Sequence, residues 1–145
     1  MANIPLPSVI TQLKEVTVVA PGAGVDFSLV VPANKWWMLF SVYAVMTQGI
    51  TQTPQPILQI DDGTNVIMES IGSSAAQAVS TTCAYTWGPG FVQSGQVGSG
   101  AGVHSVAPIP DGLILLAGYH VKTLTLGIGA NSQWGVPRLY LAELG

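Results

Sequence analysis

Val25-Asp26-Phe27-Ser28-Leu29-Val30-Val31, closed by Pro32-Ala33-Asn34, decides the class of fold. Val25, Phe27, Leu29 and Val31 alternate with Asp26 and Ser28, the two-residue period of a half-buried strand, and the Pro-Ala-Asn group ends it. The run that follows, Trp36-Trp37-Met38-Leu39-Phe40-Ser41-Val42-Tyr43-Ala44-Val45-Met46, is apolar on both faces. A strand of that kind lies inside a sheet, or its outer face meets a partner.

Outward from this pair the same grammar repeats. Pro56 to Asp61 and Asn65 to Ile71 flank Asp62-Gly63-Thr64, which reads as a tight hairpin. Thr81, Cys83, Tyr85 and Trp87 fall on one side of a further strand. Val103 to Ala107, Leu113 to Ala117, Tyr119 to Ile128 and the closing segment around Leu139 and Leu141 continue the series. With Glu15 to Ala20 this gives eight or nine strands and no sustained helical period, the spacing of an antiparallel sandwich or barrel. Eight strands in two sheets is the jelly-roll count. A short helix is expected only near Ser73 to Val79, where Ala75, Ala76 and Ala78 cluster.

Two segments stand apart. Residues 1–14, carrying Pro5 and Pro7, read as an extended arm ahead of a single domain over 15–145. Residues 88–102 contain Gly88, Gly90, Gly95, Gly98, Gly100 and Gly102, a connection of a length usually tied to function or disorder.

Composition bounds the function. The charged residues are Lys14, Lys35, Lys122, Arg138, Glu15, Asp26, Asp61, Asp62, Glu69, Asp111 and Glu143, or 8% of the chain, against roughly a quarter in an ordinary soluble domain. Apolar residues make up 48% before the 17 glycines are counted. Much of the surface is therefore expected to face other protein. Four scattered cations cannot build the basic patch that phosphate neutralisation needs, so nucleic acid is not an expected partner. The longest apolar run, Trp36 to Met46, is well short of the roughly 20 residues of a bilayer crossing, and Met1 to Pro7 lacks the pattern of a secretory leader. No membrane partner is expected.

Each chemical candidate has a plainer reading. Asp61, Asp62, Gly63 and Asn65 hint at a calcium loop but lack the spacing of alternating ligands and a distant Glu, and Asp-Gly is a favoured hairpin tip. His104 and His120 stand 16 positions apart without a carboxylate close in sequence, so a cupin-type metal site is disfavoured. Cys83 alternates with Tyr85 and Trp87 toward the core and reads as packing rather than as a nucleophile. Neither a phosphate loop nor a nucleophile elbow is present. No catalytic, cofactor-binding or metal-binding residue is assigned, no cofactor is implied, and the chain is not expected to be an enzyme.

The tryptophans Trp36, Trp37, Trp87 and Trp134 fill a core, anchor subunit contacts or stack on sugar rings. Trp36 and Trp37 are adjacent in a strand and must point to opposite faces, one toward the core and the other outward.

Four stretches carry a resemblance: Val31-Pro32-Ala33-Asn34-Lys35-Trp36-Trp37-Met38-Leu39, Leu58-Gln59-Ile60-Asp61-Asp62-Gly63-Thr64-Asn65-Val66, Pro110-Asp111-Gly112-Leu113-Ile114-Leu115-Leu116-Ala117-Gly118-Tyr119, and Pro137-Arg138-Leu139-Tyr140-Leu141. Together, over about residues 15–143, the chain resembles small jelly-roll structural proteins of tailed bacteriophage virions, especially head decoration (cement) proteins. The resemblance implies an antiparallel jelly-roll sandwich of about eight strands that forms a homotrimer on the capsid surface of the virion. It implies synthesis in the host cytoplasm and contact with the major capsid protein, and it supplies no catalytic residue. Related sandwiches serve in tails, baseplates and head fibres, where a glycan receptor would be the partner. Candidate interface residues are Ile4, Pro5, Leu6 and Pro7 of the arm, with Trp36, Trp37, Phe91, Trp134 and Tyr140.

Overall fold

In the computed structural model, which describes residues 10–99 and 102–145, eleven strands follow one another. They are β1 (Ile10–Thr17), β2 (Ser28–Val30), β3 (Trp36–Gln48), β4 (Gln55–Asp61), β5 (Val66–Ile71), β6 (Thr82–Gly88), β7 (Val103–Pro108), β8 (Leu113–Leu115), β9 (His120–Leu126), β10 (Ser132–Trp134) and β11 (Arg138–Leu144). The large sheet runs β1-β11-β3-β6-β7, with β8 and β10 also paired to β3. The small sheet runs β2-β9-β4-β5.

The doubly apolar run is the organiser of the large sheet. Strand β3 pairs with β11, β6, β8 and β10, which its length allows. Opposite Tyr140 and Leu141 its register shifts, so Trp37 and Leu39 point inward before Phe40, and Val42, Ala44 and Met46 point inward after it. Such a bulge changes which residues of a strand face the core without ending the strand.

Two expectations need correction. The sandwich is not purely antiparallel, and among the described residues it has eleven strands, seven in one sheet and four in the other, rather than about eight. Strands β6 and β7 run parallel, from Cys83 opposite Val103 to Gly88 opposite Pro108. Parallel neighbours cannot be joined by a tight turn, because the chain must travel back along the whole strand. The glycine-rich segment makes that return, and it lies against β7 as it does so. Ser94 N donates to Val106 O at 3.0 Å, and Val97 and His104 exchange two backbone hydrogen bonds of 2.9 Å each. An edge strand is thereby covered, which removes a template for unwanted pairing. Strand β8 falls within the expected Leu113 to Ala117, whereas β10 was not anticipated, because a three-residue element is too short to show a period.

Part of the segment read as an arm is a strand of the sheet. Residues 10–14 belong to β1, where Leu13 lies opposite Ala142 and Lys14 opposite Leu141. The remainder, including Ile4, Pro5, Leu6 and Pro7, lies outside the described residues.

No helix forms near Ser73 to Val79. That segment is held by side chains that compete with helical hydrogen bonding. Ser73 Oγ accepts from Ala75 N, and the buried Gln77 amide donates to Met46 O at 3.0 Å and Thr81 O at 2.9 Å.

Between the sheets the core is aromatic at its centre. Tyr85 stacks on Trp87 with ring centroids 5.8 Å apart, and the Trp134 ring meets Tyr85 at 5.9 Å and Phe27 edge-on at 5.4 Å. Leu39, Val42, Met46, Leu58, Ile60, Leu139 and Leu141 close around them without solvent exposure. Side chains of this size each contribute roughly 1.5–3 kcal/mol on burial. Every buried aromatic donor has a partner, as low-dielectric burial demands. Tyr85 OH donates to Gln77 Oε1, Trp87 Nε1 to Ser70 O and Trp134 Nε1 to Asp26 Oδ1. Gly72 sits where no larger residue fits, since a Cβ there would lie 2.8 Å from Trp87 Cζ2 and 2.9 Å from Tyr85 Cδ1.

Candidate functional site: the outer face of the large sheet

The outward side chains of the large sheet form apolar rows that cross several strands. One row is Leu13 on β1, Ala142 on β11, Met38 on β3 and Ile114 on β8, each opposite the next in register. Leu144 and Trp36 form the row beside it. On the other side the bulge brings the Phe40 ring to 5.7 Å from the ring of Tyr140. Ala142 is fully covered by these neighbours, whereas Leu13 (55%), Tyr140 (48%), Ile114 (45%) and Trp36 (43%) remain open.

Charge is confined to the margin of this face. Arg138 Nη1 donates to Glu15 Oε1 at 3.2 Å, with both side chains half exposed. Lys14, Lys35 and Glu143 gather at one end of the sandwich, where Lys14 Nζ lies 2.6 Å from Glu143 Oε2. The Trp37 indole also donates to that carboxylate, and these contacts hold the Glu143 carboxyl below its ordinary pKa, the Lys14 bond first among them.

Of the candidate interface residues, Trp36, Tyr140 and Phe91 are exposed. Trp36 and Tyr140 lie on the apolar face. Phe91 is elsewhere, folded over Gly88 at the start of the return segment. Trp37 and Trp134 leave the set, because both are buried within the chain and cannot touch another protein. Burial of Trp37, Trp87 and Trp134 also leaves the sugar-stacking reading with one exposed tryptophan.

A second constellation escaped the sequence. His120 and Lys122 project from β9 beside Asp61 at the end of β4, with His120 directly opposite Asp61. Asp61 Oδ1 meets His120 Nδ1 at 2.5 Å and accepts from Gly63 N at 2.8 Å, and Oδ2 lies 2.5 Å from Lys122 Nζ. These partners, Lys122 foremost, outweigh desolvation and lower the Asp61 carboxyl from 3.8 to about 2. The group lines a shallow cleft of about 190 Å³ beside the Asp62-Gly63 tip. That tip is the hairpin expected: Gly63 has φ 92°, and Asp62 Oδ1 accepts from Thr64 N and Asn65 N. The carboxylates there are committed to the turn, to Lys122 and to the His120 ring, so the cluster ties the hairpin to β9. Among the described residues, no three of His, Cys, Asp or Glu gather as a metal site.

An apolar groove of about 570 Å³ lies where the edges of the two sheets approach, lined by Met68, Ile71, Pro108, Ile109 and Pro110. Ser70 Oγ bridges it to Pro108 O at 2.6 Å. Cys83 is fully buried, and desolvation pushes its thiol up to about 11, which leaves no thiolate to act as a nucleophile near neutral pH.

No family model matches the chain, and no curated protein matches it. Among solved structures, one described as "Structure of infectious bursal disease virus Gx strain" aligns over 92% of this chain at 11% identity with a TM-score of 0.34. The chain spans 41% of the length of that one. A similarity at this level carries no argument about function.

Proposed function

We propose that the chain is a virion structural protein, a head decoration protein that binds the outside of a capsid as a trimer and stabilises the shell. The observation that carries this reading is the outer face of the large sheet, with its open Leu13, Trp36, Ile114 and Tyr140 and no unpaired charge. Contiguous exposed apolar surface of this kind marks a protein contact. The resemblance of the four sequence stretches to phage decoration proteins supplies the setting, and the major capsid protein is the partner it implies. A β-sandwich with a packed aromatic core suits a rigid clamp.

The test is to mix the purified chain with undecorated shells. Stoichiometric binding with increased resistance of the shell to heat or denaturant is the expected result. Failure to bind under several ionic conditions overturns the proposal.

A further inference from the structure

We infer that the apolar face of the large sheet is covered by a further copy of this same chain. The inference rests on the assembly reading above and names the occupant of its surface.

Composition is the first argument. The face presents Trp36, Met38, Phe40 and Tyr140 with Arg138 at its margin, whereas lysine is absent from it and its one carboxylate, Glu15, is paired to that arginine. Aromatic residues, methionine and arginine are enriched at protein interfaces, where lysine and carboxylates are depleted, and contacts between identical subunits are the more apolar class.

Charge is the second. A surface that meets its own copy must not carry a net charge, or each copy repels the other. Here the two charged side chains, Arg138 and Glu15, are of opposite sign and lie 3.2 Å apart, and Lys14, Lys35 and Glu143 are held against one another at the end of the sandwich. The outer face of the small sheet is different. It carries Asp61, His120 and Lys122 in one cluster, and Glu69 bonded to Gln59 beside it. The small sheet also exposes Val30, Leu124 and Leu126, but its two carboxylates against one lysine leave it net negative, so self-apposition suits the large sheet better.

Area is the third. Aromatic side chains present about 150–250 Å² each. Half-open Trp36 and Tyr140, together with Leu13 and Ile114, therefore offer on the order of 400 Å² of apolar surface. Adding the partly covered Met38, Phe40 and Val45 and the rim of Tyr43, Thr86 and Arg138 brings the face toward the roughly 800 Å² per partner of a specific interface.

The test uses the full chain. Its mass is measured by sedimentation equilibrium at micromolar concentration, in low salt and in 1 M sodium chloride. A dimer or trimer that persists at 1 M salt is expected, since screening removes ionic contacts and leaves apolar ones. The double variant Leu13→Asp with Tyr140→Asp places charges on side chains already open to water, so the monomer folds. It is expected to raise the dissociation constant at least about 100-fold. Because Cys83 is buried and silent, single cysteines at Leu13, Ile114 or Tyr140 report proximity. At least one is expected to form a disulfide between copies on oxidation, whereas Val30→Cys on the small sheet is not.

A wild-type monomer at all concentrations overturns the inference, whatever covers the face instead. So does an oligomer that survives the double variant unchanged. Shell binding is scored separately. A monomer that still decorates shells refutes this inference and leaves only the shell-binding part of the proposed function standing, whereas an oligomer that binds no shell does the reverse.

Discussion

Replacing Asp61 by Asn removes one charge from a site where geometry fixes what that charge contributes. The amide keeps an oxygen to accept from Gly63 N, so the hairpin turn is preserved while the attraction to Lys122 and His120 is lost. A carboxyl held near 2 instead of 3.8 corresponds to roughly 2 kcal/mol of folding stability. The side chain is covered, but it lies on the outward face of the sheet beneath partners that are themselves about a third exposed. Solvent screening there reduces the expected loss to about 1 kcal/mol. For a domain of this size that is a fall in melting temperature of about 3 °C. The pH dependence carries the sign. The folded carboxyl titrates below the unfolded one, so the contribution is complete above about pH 4 and disappears as pH falls through about 2. Urea denaturation of wild type and variant at intervals from pH 7 to pH 2 reads this directly. The stability gap is expected to be constant down to about pH 4.5 and then to close. Equal stability at pH 7, or a gap that stays open at pH 2, refutes the reasoning.

Three further outcomes follow from the core. Gly72→Ala forces a methyl group against the rings of Trp87 and Tyr85 and the carbonyl of Pro56, and is expected to cost about 1–3 kcal/mol, seen as a lower denaturation midpoint by tryptophan fluorescence. Gln77→Leu takes one partner each from Tyr85 OH, Met46 O and Thr81 O at once and is expected to cost about 3 kcal/mol, whereas Tyr85→Phe removes the bond to Gln77 and the long one from Gln96 and costs about 1 kcal/mol. A double-mutant cycle between the two measures their coupling. Cys83 is expected to resist a thiol reagent at pH 7 in the native protein and to react at the rate of unfolding, because burial both shields the thiol and raises its pKa to about 11.

The all-β class and most strands were legible because alternation is a local signal. Phe27, Leu29 and Val31 are buried as their spacing required, whereas Val25, read as part of the same series, is exposed ahead of β2, and Cys83, Tyr85 and Trp87 share the inward face of β6. The Asp62-Gly63 hairpin was legible because positive φ is a property of the turn itself. What escaped was non-local. Nothing within residues 88–102 announces that their glycines return the chain for a parallel strand, since that depends on where β7 pairs. The approach of Asp61 to His120 links residues 59 positions apart through the β4–β9 register. Trp37 and Trp36 were correctly split between two faces, but which of them faced inward turned on a bulge at Phe40 that pattern alone does not reveal.

The scarcity of charge acquires a sharper meaning once each charge is placed. All four cations lie within reach of a carboxylate of the same chain: Lys14 and Lys35 at Glu143, Lys122 at Asp61, and Arg138 at Glu15. Asp26 is drawn inward by Thr125 and Trp134, and Asp62 by its own turn. These nine of the eleven charged residues are therefore engaged within the chain, fastening the ends and edges of the sandwich. Long-range steering by net charge has little to act on, and ionic strength has little to screen. Recognition falls to shape and apolar contact, which act only at short range and reward a surface held rigid before contact. The two halves of the design depend on each other. On the inference above, an apolar sheet face is safe in water because its occupant is a copy of the same chain, made beside it.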